Sequence, residues 1–209
     1  MFASNDQASI GIGSLIIFIA MIISAGVAAS VVFQTMNTMQ QQALQTSQET
    51  IKDISSGLRL THVSGYVSNS SISQLCFFVK TTAGSSAIDL SEARLQLSDS
   101  EQMPILLFDN ESFSNTISNG LFQTLNMSNV TNEEFGVLVI RDIDNTCSSD
   151  NPVINDNDLV GILVNTTSCF SGIAPRTSVS GKIVPEQGMS AIISFTTPST
   201  YTDTIIDLQ

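Results

Sequence analysis

No Asp, Glu, Lys or Arg occurs between Asp6 and Glu49, and inside that gap Ser9–Phe33 reads SIGIGSLIIFIAMIISAGVAASVVF, an almost unbroken apolar run. A run of this kind cannot sit on the outside of an ordinary water-soluble globule. About 20 apolar residues cross a bilayer as a helix, and at 1.5 Å per residue this run would span about 36 Å. Three fates are open to it: a secretion signal that is removed, a permanent membrane anchor, or a helix that leaves the membrane and packs against copies of itself. An ordinary secretory signal has a positive start, a shorter apolar stretch and a small-residue cleavage site. Here MFASNDQA precedes the run, with Asp6 and no Lys or Arg, so wholesale removal is the weaker reading.

The residues that follow extend the helix. QTMNTMQQQALQTSQETIKDISSGL has no Pro, and no Gly before Gly57. Met36, Met39, Ala43, Ile51, Ile54 and Leu58 are spaced by three, four or multiples of these, which puts them on one helical stripe. The pattern predicts a helix from near Ile10 to about Ser56, stopped by Gly57, with a length of about 70 Å. Its first half is apolar all round and its second half amphipathic.

From Leu58 the period changes. LRLTHVSGYV, SQLCFFVKTT, EARLQLSD, FGVLVIRD, DLVGILVNTT, SVSGKIVP and SAIISFTT are short runs rich in β-branched and aromatic residues, separated by Gly, Asn, Asp, Ser and Pro. They predict an antiparallel sandwich or barrel. The stretch MPILLFDNESFSNTISNGLFQTLNMSNVTNEEF is compatible with strand, short helix or extended loop. The expected fold class is therefore α+β: a long N-terminal hydrophobic helix over residues 9–58, then an all-β immunoglobulin-like sandwich or barrel over residues 59–209. About 150 residues suffice for a core of their own.

The formal net charge is −12. Such a chain repels nucleic acid, and its seven cations are scattered singly along the sequence, so no phosphate-binding footprint is read. No GxGxxG, Walker A or G-x-S-x-G pattern occurs, and the lone His62 in LTHVSG reads as structural or superficial. An enzyme is not expected. Two features carry chemistry. The triplets at Asn69, Asn110, Asn126, Asn129 and Asn165 are N-glycosylation acceptors of an exported surface, or products of a composition rich in Asn, Ser and Thr. The loop RDIDNTCSSDNPVINDND carries Asp142, Asp144, Asp150, Asp156 and Asp158, hard oxygen ligands that suit Ca²⁺; a solvated acidic loop is the other reading. No other cofactor is expected. Of the three cysteines, Cys147 and Cys169 are placed to close a surface loop as a disulfide, and Cys76 reads as a buried apolar residue.

Two stretches carry a family resemblance. GIGSLIIFIAMIISAGVAASV with LQTSQETIKDISSGL, and PRTSVSGKIVPEQGMSAIISFTTPSTYTD near the other end, resemble the archaellins, the filament subunits of the archaeal motility organelle. The resemblance implies a leader of residues 1–8, removed by a prepilin-peptidase-like enzyme between Ala8 and Ser9. It also implies an assembly platform as partner, residence in the cytoplasmic membrane as a precursor, and a final place in an extracellular filament. Gly13 stands where bacterial type IV pilins carry a Glu, which sets the chain apart from those pilins.

Physical reasoning runs the same way. An apolar helix is at home in lipid and equally in a bundle of identical helices. Gly11, Gly13, Ala20, Ser24, Ala25, Gly26, Ala28 and Ala29 are small enough for close helix packing. Head-to-tail contacts whose rotation does not close generate a filament, so the principal partner is the chain itself. A membrane-anchored, stator-like accessory protein, an adhesive pilin and a single-pass anchored sandwich are the alternatives.

Overall fold

The structure, a computed structural model, describes the backbone of residues 6–209 and the side chains of residues 10–209. Most of the expected leader, and the side chains of Ala8 and Ser9 at its expected end, lie outside the described residues. The chain comprises two compact units, Met1–Glu49 and Thr50–Gln209.

Helix α1 runs over Asp6–Ser55 and accounts for all the described residues of the first unit. The hydroxyls of its apolar half do not break it, because Ser14 bonds back to the Gly11 carbonyl, Ser24 to Ala20 and Ser30 to Val27. Every described α1 side chain is exposed. The last turn closes with the Ser56 amide donating to the Lys52 carbonyl at 2.8 Å. The helix thus stops at the expected place but for another reason. Gly57 is not a left-handed cap; its backbone forms a parallel bridge with Met189, and a Cβ there would lie 2.9 Å from Met189 Cβ. Leu58, expected on the helical stripe, is instead the first residue of the sheet and only 3% exposed.

The second unit is a β domain. In chain order its elements are β1 (Leu58–Ser68), β2 (Ser71–Thr81), β3 (Ile88–Asp89), β4 (Arg94–Ser98), β5 (Ile105–Ser114), β6 (Glu134–Arg141), β7 (Val153–Ile154), β8 (Leu159–Asn165), helix α2 (Thr166–Phe170), β9 (Ser178–Val184), β10 (Ala191–Thr196) and β11 (Ile205–Asp207). Nine strands form one sheet in the order β10-β9-β4-β5-β6-β8-β2-β1-β11, while β3 and β7 pair apart. The sheet curls until its two ends meet. The Leu58 amide donates to the Met189 carbonyl, the Met189 amide to the Ser56 carbonyl, and the Ser194 amide to Gln209 Oε1. The concave side holds the main core, with Phe77, Leu95, Leu106, Phe135, Ile162 and Ile183 among its members.

All the pairings in the large sheet are antiparallel except β5 with β6. Parallel neighbours need a long crossover, and residues 115–133 supply it. This explains the stretch whose pattern fits neither strand nor helix. Its first third is β5, and the crossover then lays Phe122, Leu125, Met127 and Val130 over Cys76, Leu138 and Leu163 as a second apolar cluster. Gly136 lets the crossover approach, since a Cβ there would sit 2.9 Å from both Ser112 O and Leu125 Cδ1.

Candidate functional site

Three parts of the molecule bear on function: the apolar helix, the acidic loop between β6 and β8, and the asparagine triplets. Along α1, large apolar side chains are exposed on every side: Ile10 is 72% exposed, Phe18 62%, Met21 70% and Phe33 67%. Such a surface in water would cost roughly 25 cal/mol for each Å² of apolar area. The stretch is also long and apolar enough to cross a membrane. A Cβ at Gly11, Gly13 or Gly26 would meet nothing within 4 Å. These glycines therefore serve no contact among the described residues, and the small residues Ala20, Ala25 and Ala29 stand exposed beside them.

In the acidic loop the fold gathers three of the five candidate aspartates. Carboxylate oxygens of Asp142, Asp144 and Asp158 lie within 4.8 Å of one another. Asp150 and Asp156 are exposed and outside that group. Each member is held by its own hydrogen bonds. Asp142 accepts from the Asn145 amide at 2.8 Å and the Cys147 amide at 3.0 Å. Asp144 accepts from Thr146 Oγ1 at 3.0 Å and Asn155 Nδ2 at 2.6 Å. The Asn155 bond first, with help from Thr146, holds the Asp144 carboxyl below the usual carboxylate range. Asp158 is 1% exposed. One of its oxygens accepts from the Asn155 amide at 2.9 Å, and the other, Oδ1, is buried with no hydrogen-bond partner.

An unpaired buried carboxylate oxygen is costly, and two neighbouring carboxylates raise that cost. A hard cation removes both penalties. The donors here are all oxygens, which suits Ca²⁺ and not zinc. The adjacent Cys147 thiol is pushed up to about 12 by burial and then by Asp142, Asp158 and Asp89, so it stays neutral and offers no thiolate. Asn155, which ties Asp144 to Asp158, escapes a search of the sequence for acids alone.

The asparagines divide by local geometry. Asn69 and Ser70 both have positive φ, 52° and 62°, and turn β1 into β2 as a two-residue loop of the kind that favours Asn. Asn165 caps α2, its side chain accepting from the amides of Thr167 and Ser168, while its Nδ2 donates to the Met127 carbonyl at 2.7 Å. The Asn165 side chain is thus committed on both atoms. Asn69, Asn110, Asn126 and Asn129 are exposed.

The expected Cys147–Cys169 bridge is not formed. Both are free buried thiols, as is Cys76. Cys147 is bridged to Pro152 in the acidic loop, whereas Cys169 lies on α2 and donates to the Asn132 carbonyl. His62 takes no part in a catalytic arrangement among the described residues. Its Nε2 lies 3.0 Å from Asp207 Oδ1, which ties β11 to β1.

The archaeal-type flagellin family profile matches residues 8–195. The chain belongs to that family. It is 36% identical to Flagellin B2 of Methanocaldococcus jannaschii, over 100% of this chain and 98% of that one. It is 40% identical to Flagellin B1 of Methanococcus voltae, again over 100% and 98%. Among solved structures, the crystal structure of an archaeal flagellin from Methanocaldococcus jannaschii matches with a TM-score of 0.68 at 33% identity, covering 74% of this chain and 97% of that one. The archaeal flagellum of Methanospirillum hungatei matches with a TM-score of 0.66 at 18% identity, covering 94% and 98%, a likeness of fold. The family resemblance carried by the apolar run and the closing strands therefore extends over the intervening segment too. Family membership makes this flagellin chain a structural subunit and not an enzyme.

Proposed function

We propose that the chain polymerises with copies of itself into an extracellular archaeal flagellar filament, with α1 packed among the α1 helices of other copies. The observation that carries this reading is the all-round exposure of α1's apolar side chains in a chain of the flagellin family. A helix without a polar face must be covered by lipid or by protein. Lipid covers it in the precursor and neighbouring helices cover it in the filament, so transfer from one to the other keeps the same surface dry. Before assembly, a membrane peptidase removes the leader near Ala8–Ser9 and a membrane platform adds subunits to the growing polymer. In the β domain, Asp142, Asp144 and Asp158 hold a Ca²⁺ ion that fixes the loop between β6 and β8. Glycans are carried on the exposed asparagines and not on Asn165. The function is mechanical: the helical core transmits torque.

The test is electron microscopy of filaments sheared from cells, with mass spectrometry of their subunits. The chain is expected as a principal component, beginning at or beside Ser9. Its confinement to the membrane fraction, with filaments present but lacking it, would overturn the reading in favour of an anchored accessory protein.

A further inference from the structure

In the sequence the cations stand far apart, but the fold gathers three of the seven. Arg59, Lys80 and Arg141 line one hollow of about 190 Å³ at the end of the sheet where β1 begins. Arg59 on β1 and Lys80 on β2 are directly paired across the two strands. Like charges in that position destabilise a sheet, and among the described residues no carboxylate lies within ion-pair distance of either side chain. Neither side chain has a hydrogen-bond or ion-pair partner among the described residues, where the one ion pair is His62 with Asp207. Asp156 lines the hollow without pairing to any of the three. Arg141 is held in place by donating its Nε to the Asn157 carbonyl at 2.8 Å, which leaves the outer N–H groups of its guanidinium for an acceptor.

An arrangement of two opposed cations and one oriented guanidinium fits carboxylates. The chain has a strong surplus of these, with a net charge of −12. The opposite end of the β domain carries some of them with no ion-pair partner among the described residues, although Asp203 accepts a hydrogen bond from Thr202 Oγ1 at 3.3 Å. Glu101 lies in the β4–β5 turn, and Glu133 lies where its carbonyl accepts from the Leu107 amide. Asp203 precedes Thr204, whose carbonyl accepts from the Val67 amide at the far end of β1. All three are exposed, and Arg176 is the cation at that end. Between Arg59 and Val67, β1 separates the two ends by about 26 Å at the usual rise of a strand. A basic hollow at one end and exposed carboxylates at the other cannot meet within one copy, but they meet head to tail between two.

We infer that the hollow formed by Arg59, Lys80 and Arg141 receives Glu101, Glu133 or Asp203 from the β domain of a second copy. The contact is heterologous, of the kind that propagates along a filament and does not close on itself. The inference rests on the polymer reading above. It adds a polar contact between β domains that sets subunit register alongside the packing of the apolar helices. Opposite charges fix register and select partners more than they add raw affinity.

The test compares filaments of the full-length chain and two variants across a range of NaCl concentrations. Arg59→Gln with Lys80→Gln removes the repulsion between paired cations, so the β domain is expected to remain folded by circular dichroism. Assembly of this variant is expected to fall about tenfold and to lose the salt sensitivity that the unmodified chain shows. Arg59→Glu with Lys80→Glu is expected to assemble less still, and to recover when Glu101→Lys and Asp203→Lys are added. Normal assembly of both variants with an unchanged salt profile would overturn the inference. So would inorganic phosphate binding to the hollow with no effect on assembly, which would mark it as a site for a free anion. Absence of filaments from the unmodified chain would instead strike at the polymer reading itself, so the two failures are distinct.

Discussion

Gly26→Leu separates what α1 does alone from what it does in company. In the single chain the substitution meets no obstacle, because a Cβ at Gly26 has nothing within 4 Å. The helix itself should gain about 0.8 kcal/mol, the difference in helix propensity between Gly and Leu. Membrane insertion should improve slightly for the same reason and because a large apolar side chain has been added. Assembly should respond in the opposite sense. Helix axes pack 8–10 Å apart in general, with the closer values reached only at small residues. A leucine in a contact shaped for glycine costs about 1–3 kcal/mol through overpacking. At 1.4 kcal/mol per factor of ten, the concentration needed for assembly should rise roughly 5- to 150-fold. The penalty recurs at every subunit, so it cannot be diluted by a few good contacts. The assay is the amount of sheared filament per cell, with subunit retained in the membrane fraction as the complementary measure and circular dichroism of the β strands as the control. Filaments of normal length and yield would refute close helix packing at this position.

Other consequences are read at the β domain. Gly188 has φ +91° and a Cβ there would collide with the Ser56 carbonyl; Gly188→Ala should cost about 2–4 kcal/mol from left-handed strain and overpacking together, seen as a lower urea midpoint by tyrosine fluorescence in detergent. If Asp158 helps hold a cation, Ca²⁺ at a hundred times its dissociation constant should stabilise the chain by about 2.7 kcal/mol. Asp158→Asn should abolish that increment, and a melting temperature indifferent to Ca²⁺ and chelator alike would dismiss the site. The thiols of Cys147 and Cys169 are pushed up to about 12 and about 11, from the ordinary value of 9.0. For a group whose folded pKa is raised, the stabilisation is complete below the unfolded value and fades as pH rises towards the folded one. Stability should therefore decline between about pH 9 and 11–12, and alkylation at pH 8 should be slow until the chain is unfolded. Rapid native labelling of either thiol would contradict the burial that shifts it.

The parts legible in the sequence are those set by local pattern. Continuous apolarity, the absence of Pro and the change from a helical to an alternating period mark α1 and the strands β1, β2, β4, β6, β8, β9 and β10. The rest depends on contacts distant in sequence. Leu58 fits the helical stripe by spacing, yet Met189, far along the chain, draws Gly57 and Leu58 into the sheet. The crossover from 115 to 133 has no period because its apolar residues cover an outer patch of the sheet individually and not as a regular face. Cys147 and Cys169 are spaced for a loop-closing bridge, but one is held in the acidic loop and the other on α2. The acidic loop was legible as chemistry but not as geometry: composition offers five aspartates, and only the pairing of β6 with β8 chooses Asp142, Asp144 and Asp158. Arg59, Lys80 and Arg141 are isolated in sequence for the same reason that they are neighbours in space. They sit near strand ends that the sheet brings side by side.

The polar residues of α1 show why one segment can occupy two environments. Within the apolar half, hydroxyls would be a liability in lipid, where an unsatisfied polar group costs several kcal/mol. Ser14, Ser24 and Ser30 each donate to a carbonyl one turn back, at 2.9, 2.8 and 2.8 Å, and Thr35 donates to Val31 at 2.6 Å. The donors are satisfied inside the helix whatever surrounds it. What remains outward is small or apolar, and that surface makes no distinction between acyl chains and the side chains of an identical helix. Neither environment demands a rearrangement of α1 when the segment passes from one to the other. A charged residue anywhere in the apolar run from Ser9 to Phe33 would remove that indifference, since it would need a partner in the filament that lipid cannot supply.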